Sequence, residues 1–295
     1  MTDAKAIAGF EERCATVGGA SLRYLVGGAG PPLVLVHGLA GAASNWVELA
    51  PLLGRRHRLL IVELPGHGGS DPLAAAPTLD PYADCVLELA RLEGIVPASF
   101  VGHSLGGAVA LRAAARRPHH VTAVVLLAAA GISSATKSLA GSVTLALLGR
   151  PGRAVAPFRT VIAGTPWARW LVFGHWQVDD PPALSAAATE GFLSGPALHA
   201  DLRQAALALA AEDERLGLDR VRCPCLLVWG ANDRIVPLAD GFDYARRLRA
   251  PLRVIAGCGH LLIGERPGAC AHAIEAFLDG IRDLEELPVE PELAG

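Results

Sequence analysis

The chain has 295 residues, 52% hydrophobic and 19% charged, with a formal net charge of −3 and an isoelectric point near 6.4. That is enough apolar material for one large core, or for a core domain carrying an insertion. No run of Lys or Arg offers a footprint for nucleic acid or anionic membrane, and Arg159, Arg169, Arg203 and Arg215 stand singly, so neither partner is expected.

Residues 1–10 contain Asp3 and Lys5 and no long apolar stretch, so no signal peptide is visible. The most apolar run, 121–130, is about half a membrane span. A soluble cytoplasmic protein is the expectation. Residues 13–17 and 21–26, joined at Gly18 and Gly19, read as an antiparallel hairpin. Residues 33–36 form a continuous apolar run, the mark of a strand buried on both faces, which ends at His37, Gly38, Leu39, Ala40 and Gly41. Ser44 then reads as the N-cap of a helix reaching Leu53. A strand over 58–62 leads into the loop Leu64, Pro65, Gly66, His67, Gly68, Gly69, Ser70, and 79–92 has helical spacing. A strand over 98–101 enters Gly102, His103, Ser104, Leu105, Gly106 and Gly107, an alanine-rich helix leaves it over 108–117, and 121–127 is a further buried strand. This alternation predicts an α/β fold, with a mostly parallel central sheet covered by helices on both faces.

From 132 to about 218 the alternation stops. Prolines at 151, 157, 166, 181, 182 and 196 separate helical stretches, and Thr165–Pro166 and Asp180–Pro181 read as helix starts. Seven basic and seven acidic residues balance to zero here, and six of the twelve Trp and Phe residues of the chain fall in this stretch. These features predict an inserted helical cap between two halves of a core, 1–131 and 219–283. Strand and helix resume at 225–229, 238–248, 252–256 and 267–281, and the acidic, proline-containing stretch 284–295 is expected to be a flexible tail.

Chemistry concentrates at Ser104. Between a strand and a helix the chain has about two residues in which to turn, which strains one of them and requires near-absent side chains beside it. Gly102, Gly106 and Gly107 supply those, and the hydroxyl of Ser104 then stands at a helix N-terminus that favours developing negative charge. A serine nucleophile needs a base within hydrogen-bond reach, itself oriented by a carboxylate. In an open parallel sheet such groups belong after the C-terminal ends of strands. The next two loops carry them: Asp233, between Gly230 and Pro237, and His260, after Gly257, Cys258 and Gly259. The order Ser, Asp, His suits a nucleophile on a strand-to-helix turn.

Five motifs lie in register from about Leu22 to Phe277: His37–Gly38; Leu64, Pro65, Gly66, His67, Gly68; Gly102 to Gly107; Trp229, Gly230, Asp233, Pro237; and Gly259, His260, Glu265, Arg266, Pro267. On these the chain resembles the α/β-hydrolase fold superfamily, in its capped branch. The resemblance implies Ser104, Asp233 and His260 as a catalytic triad and the N–H groups of Leu39 and Leu105 as an oxyanion hole. It implies a serine hydrolase acting on a carboxylic ester or related acyl bond, with no cofactor. The absence of excess charge in 132–218 points to a mainly apolar pocket and a small, mainly uncharged apolar substrate. Carbon–carbon bond hydrolases of the same superfamily are the alternative, but they usually carry Trp after the catalytic histidine, where this chain has Leu261. A receptor-like binding protein is less consistent with a complete triad. Epoxide hydrolases and dehalogenases need Asp where Ser104 stands. Glu63 departs from the usual aspartate before the Leu64 loop and is read as serving that loop.

His37, His67 and His103 read as loop-holding, His119 and His120 as lying at the far side of the sheet, and His175 and His199 as possible substrate contacts in the cap. Trp167, Trp170 and Trp176 are candidates to line the pocket. Asp240 and Asp243 read as surface. Six dispersed cysteines read as buried free thiols, and no His, Asp or Glu cluster has metal-ligand spacing, so no metal is implied. Oligomeric state is left open.

Overall fold

The first hairpin is β1 (Phe10–Val17) and β2 (Ala20–Gly27), paired antiparallel around Gly18 and Gly19, whose φ angles are 59° and 83°. A two-residue hairpin turn needs these left-handed values, which glycine adopts without steric cost. The computed structural model describes residues 7–74, 78–132, 154–195, 198, 201–211 and 217–285.

The remaining strands are short apolar runs: β3 (Pro32–Val36), β4 (Arg58–Val62), β5 (Ala98–His103), β6 (Val121–Leu127), β7 (Cys225–Gly230) and β8 (Leu252–Ile255). These six pair parallel and β2 joins β4 antiparallel, giving one eight-stranded sheet in the order β1-β2-β4-β3-β5-β6-β7-β8. The central strands need helices on both faces, because the side chains of Leu33, Val34, Leu35, Val36, Phe100, Val101, Leu126 and Leu127 are all fully buried. Helices α1 (Ala50–Leu53), α2 (Asp80–Leu92) and α3 (Leu105–Arg116) lie between β3 and β6. Between β6 and β7 lie α4 (Arg159–Gly164), α5 (Pro166–Gln177), α6 (Ala186–Ser194) and α7 (Arg203–Ala211). After β7 come α8 (Leu238–Leu248), α9 (Leu262–Glu265) and α10 (Pro267–Glu285). α2 packs on α3, and α1 on α10.

Local departures from the sequence reading have local causes. The helix expected from Ser44 to Leu53 is broken into a 3-10 turn, Ala43–Trp46, and α1, because Pro51 sits in the first turn of α1 and has no N–H with which to continue an earlier helix. Ser44 is not an N-cap; its hydroxyl donates to the Gly191 carbonyl at 2.7 Å, tying the loop after β3 to α6. Thr165 does precede α5, but its hydroxyl donates back to the Val161 carbonyl at 2.7 Å, and Asp180–Pro181 opens only the short turn Pro181–Ala183. The last helix continues to Glu285, two residues into the stretch expected as tail. Residues 286–295, Pro151, Pro196 and His199 lie outside the described residues.

The start of α3 is pressed directly on the strands. A Cβ at Gly102 would overlap the Gly106 carbonyl, one at Gly106 would overlap the Val36 carbonyl, and one at Gly107 would come within 2.5 Å of Ala129 Cβ. Backbone atoms cannot yield as a side chain can. Gly106→Ala should therefore lower the free energy of unfolding by about 1–3 kcal/mol or more, read from urea denaturation. An unchanged urea midpoint would show that α3 can slide on the sheet.

Candidate active site

Ser104 is the single residue between β5 and α3, with φ 53° and ψ −118°, a backbone conformation that L-residues rarely adopt. Three hydrogen bonds hold it there. Its N–H donates to the Leu127 carbonyl at 2.9 Å, and its own carbonyl accepts from Gly107 N–H at 2.9 Å and Ala130 N–H at 3.1 Å. Ala130 is secured in turn, since its carbonyl accepts the Tyr244 hydroxyl at 2.9 Å.

The loop after β3 lies against this turn. A Cβ built on Gly38 would sit 3.0 Å from Ser104 Cβ, and the loop closes through Gly41 N–H to the Gly38 carbonyl at 3.0 Å, with Ala40 at φ 58°. Leu39 is therefore next to the residue that contacts the serine. Leu105 is the first residue of α3, so its N–H has no partner within the helix. His37 holds the loop: it accepts Leu64 N–H on Nε2 at 3.0 Å, which leaves the proton on Nδ1 to be donated to the Gly38 carbonyl at 2.8 Å. His67 donates from Nδ1 to the Pro65 carbonyl at 3.0 Å, and its ring centroid lies 5.1 Å from that of His37.

Asp233 and His260 come together from the loops after β7 and β8. Asp233 Oδ2 lies 2.8 Å from His260 Nδ1, and the Asp233 side chain is fully buried. Its other oxygen accepts the N–H groups of Ile235 and Val236, both at 2.9 Å, and Val236 is fixed by Trp229, whose indole N–H donates to the Val236 carbonyl at 2.9 Å. An ionised carboxylate accepts only, so Nδ1 of neutral His260 carries the proton and Nε2 is left as the basic atom.

His103 connects this pair to the serine turn. It is the residue before Ser104, its Nε2–H donates to the His260 carbonyl at 2.9 Å, and the two ring centroids are 4.9 Å apart. Burial, reinforced by the neighbouring His260, lowers the pKa of His103 from 6.5 to about 3. The unfolded chain binds this proton near 6.5, whereas the folded one does not until about pH 3. The stability His103 contributes is therefore complete above about pH 6.5 and is lost as pH falls toward 3. Urea midpoints should fall on acidification across that window, and His103→Gln should flatten the fall. A mutant curve parallel to wild type would assign the acid sensitivity to other groups.

Glu63 has a larger role than its sequence context indicates. It is buried, its Oε1 accepts Arg23 Nη1 at 2.7 Å and Ala43 N–H at 3.1 Å, and its Oε2 accepts Gly69 N–H at 2.7 Å. One carboxylate thus joins the loops after β3 and β4. The departure from aspartate was the available signal, but nothing in the sequence tied it to Ala43.

The remaining candidates differ in exposure and partners. Trp167, Trp170 and Trp176 are 71%, 51% and 52% exposed, whereas Phe173 and Phe192 are buried against each other. His175 is exposed and hydrogen-bonds the Asp179 carbonyl at 2.8 Å. His119 and His120 stand at the start of β6, the sheet edge opposite Ser104. Asp243 pairs with Arg246 and Arg247, but Asp240 is buried in the first turn of α8, where the helix N-terminus favours a carboxylate. Of the six cysteines Cys14 is exposed and Cys223 half-buried, a correction to the reading of all six as buried, and all six are free thiols. Among the described residues no group of three or more His, Cys, Asp or Glu is placed to hold a metal ion, and no helix is long and apolar enough to cross a membrane.

A mostly parallel eight-stranded sheet with a strained serine turn after β5 is the architecture of an α/β hydrolase. Residues 31–267 match the sequence profile of the alpha/beta hydrolase fold, and the chain belongs to that family. It is 34% identical over 274 residues to a pimeloyl-[acyl-carrier protein] methyl ester esterase of Aromatoleum aromaticum, covering 85% of this chain and 99% of that protein. It is 33% identical over 275 residues to a dihydrolipoyllysine-residue acetyltransferase component of the acetoin cleaving system of Pseudomonas putida, covering 90% of this chain and 68% of that protein. The crystal structure of a putative lipase from Acinetobacter baumannii superposes with a TM-score of 0.73 over 94% of this chain and 93% of that one, at 21% identity.

Proposed function

We propose that this hydrolase is a serine esterase that cleaves a carboxylic ester or related acyl bond of a small, mainly uncharged substrate through an acyl-enzyme. The observation that carries the reading is the buried Asp233–His260 pair at 2.8 Å, joined through His103 to the strained turn that presents Ser104. His260 Nε2 takes the Ser104 proton as Oγ attacks the acyl carbonyl carbon. The N–H groups of Leu39 and Leu105 receive the oxygen as it becomes negative. Collapse of the tetrahedral intermediate breaks the bond to the alkoxy group, which leaves with the proton held by His260. Water, deprotonated by the same imidazole, then attacks the acyl carbon and releases Ser104. Throughout, Asp233 holds the imidazole in the tautomer that leaves Nε2 free and offsets its charge when it is protonated. The relative named as a methyl ester esterase supports an ester as the bond attacked.

The insertion is read as a cap. Its contacts are with the loops at the carboxyl edge of the sheet: Gly191 with Ser44, Asp201 N–H with the Gly66 carbonyl at 3.2 Å, Phe192 against Gly264, and the Gln177 carbonyl with His260 N–H at 2.8 Å. With balanced charge over 132–218, the space it roofs suits an apolar acyl group. Each added methylene is worth about 0.8 kcal/mol when buried, so kcat/KM on p-nitrophenyl esters should rise several-fold per carbon from acetate until the pocket is full. Best activity on acetate with steady decline thereafter would mean that the cap closes down on Ser104.

A further inference from the structure

The segment 177–179, where the chain leaves α5, threads between the two loops that carry the acid and the base. The carbonyl of Gln177 accepts His260 N–H at 2.8 Å and Leu261 N–H at 3.3 Å, so the backbone of the proposed base is hydrogen-bonded to the insertion itself. Val178 is buried. Asp179 reaches both ways: its Oδ1 accepts the side-chain amide of Asn232 at 2.7 Å, next to Asp233, and its N–H donates to Glu265 Oε2 at 2.9 Å. The same Glu265 oxygen accepts Gly259 N–H at 2.9 Å, next to His260. Contact is close enough that a Cβ on Gly259 would lie 2.9 Å from both Asp179 N and the Gln177 carbonyl oxygen.

Glu265 is poorly explained as ordinary scaffold. Two backbone N–H groups converge on one of its oxygens, while the other, Oε1, is occluded and has no hydrogen-bond partner among the described residues. Burial pushes its carboxyl above the usual range, the two N–H donors oppose that, Asp179 adds to it and Arg266 counters it. Placing a carboxylate there is costly, and what it secures is the junction of insertion and histidine loop. Upstream, Gly174 breaks α5 at φ 56° and ψ 166°, so 175–179 is set off from the body of that helix.

We propose that Glu265 and Asn232 are positioning residues that lock the segment 177–179 to the two loops, so that the placement of His260 depends on the seating of the insertion. The inference rests on the reading of Ser104 and His260 as nucleophile and base, and gives the insertion a part in turnover besides enclosing substrate. A shift of the insertion moves Gln177, and with it the backbone of His260 by direct hydrogen bonds. Reacting groups misplaced by about 1 Å lose on the order of a hundredfold in rate.

The test compares full-length wild type with Glu265→Ala, Glu265→Gln and Asn232→Ala, reading kcat and KM on a p-nitrophenyl ester, the rate of inactivation by a fluorophosphonate, and the melting temperature. Glu265→Ala should lower kcat and the inactivation rate together by about a hundredfold with KM nearly unchanged. Glu265→Gln keeps an acceptor oxygen between Asp179 and Gly259 and should recover most of the loss, which a defect in folding alone would not predict. Asn232 is exposed, so Asn232→Ala should fold even if Glu265→Ala does not, and should lower kcat about tenfold at unchanged KM. Folded variants with wild-type kcat and inactivation rate, or with a change confined to KM, would overturn the inference. If wild type itself does not react with the fluorophosphonate, it is the reading of Ser104 that fails, and the two failures are thereby told apart.

Discussion

Ser104→Ala should remove turnover by on the order of a millionfold while the protein folds and melts as wild type does. The expectation of an intact fold follows from where the serine is held. The three hydrogen bonds that fix residue 104 are made by its backbone, to Leu127, Gly107 and Ala130, and alanine keeps all of them and the same Cβ beside Gly38. Only the hydroxyl is lost, and with it the atom proposed to form the acyl-enzyme. Residual rate over water would come from the Leu39 and Leu105 N–H groups and from binding. Steady-state kinetics with circular dichroism decides the matter. A mutant that keeps a tenth of the wild-type kcat would move the nucleophile elsewhere.

Asp233→Asn should cost about ten-thousandfold in kcat. The carboxylate does two things that an amide of the same shape cannot do together. It forces the Nδ1–H tautomer on His260, and in the proposed reaction it offsets the charge of the imidazolium formed when Ser104 gives up its proton. An asparagine can present its amide N–H to Nδ1, which then becomes the acceptor and places the proton on Nε2, where the base is needed. The loop should survive, because the N–H groups of Ile235 and Val236 can still be met by the amide oxygen and Trp229 still anchors Val236. Undiminished turnover would mean that another carboxylate orients His260.

The sheet was largely legible because its strands are written twice, as continuous apolar runs and as regular spacing between helices. Residues 58–62, 121–127 and 238–248 have in the structure the limits read from the sequence. Asp233 and His260 were legible as loop residues at a common sheet edge, and the structure brings them within hydrogen-bond distance. What was not legible is whatever depends on one loop meeting another. Ser44 has an N-cap composition, yet its hydroxyl is used by Gly191, far along the chain, and local sequence carries no trace of that partner. Asp240 has the polarity of a surface residue and the position of a buried one. The tryptophans of 132–218 read as pocket lining because aromatics usually seek burial, but in the structure it is Phe173 and Phe192 that are buried, and all three indoles are at least half exposed. The junction at 177–179 is built mostly of backbone groups, which every residue possesses, so no residue type announces it.

The assignment of Ser104 is tested most directly by mapping a covalent adduct. Wild-type protein treated with a fluorophosphonate should gain one phosphonyl group, and peptide mass spectrometry should place it on Ser104. Ser104→Ala should gain none under the same conditions. An adduct on any other residue, or equal labelling of the mutant, would contradict the account.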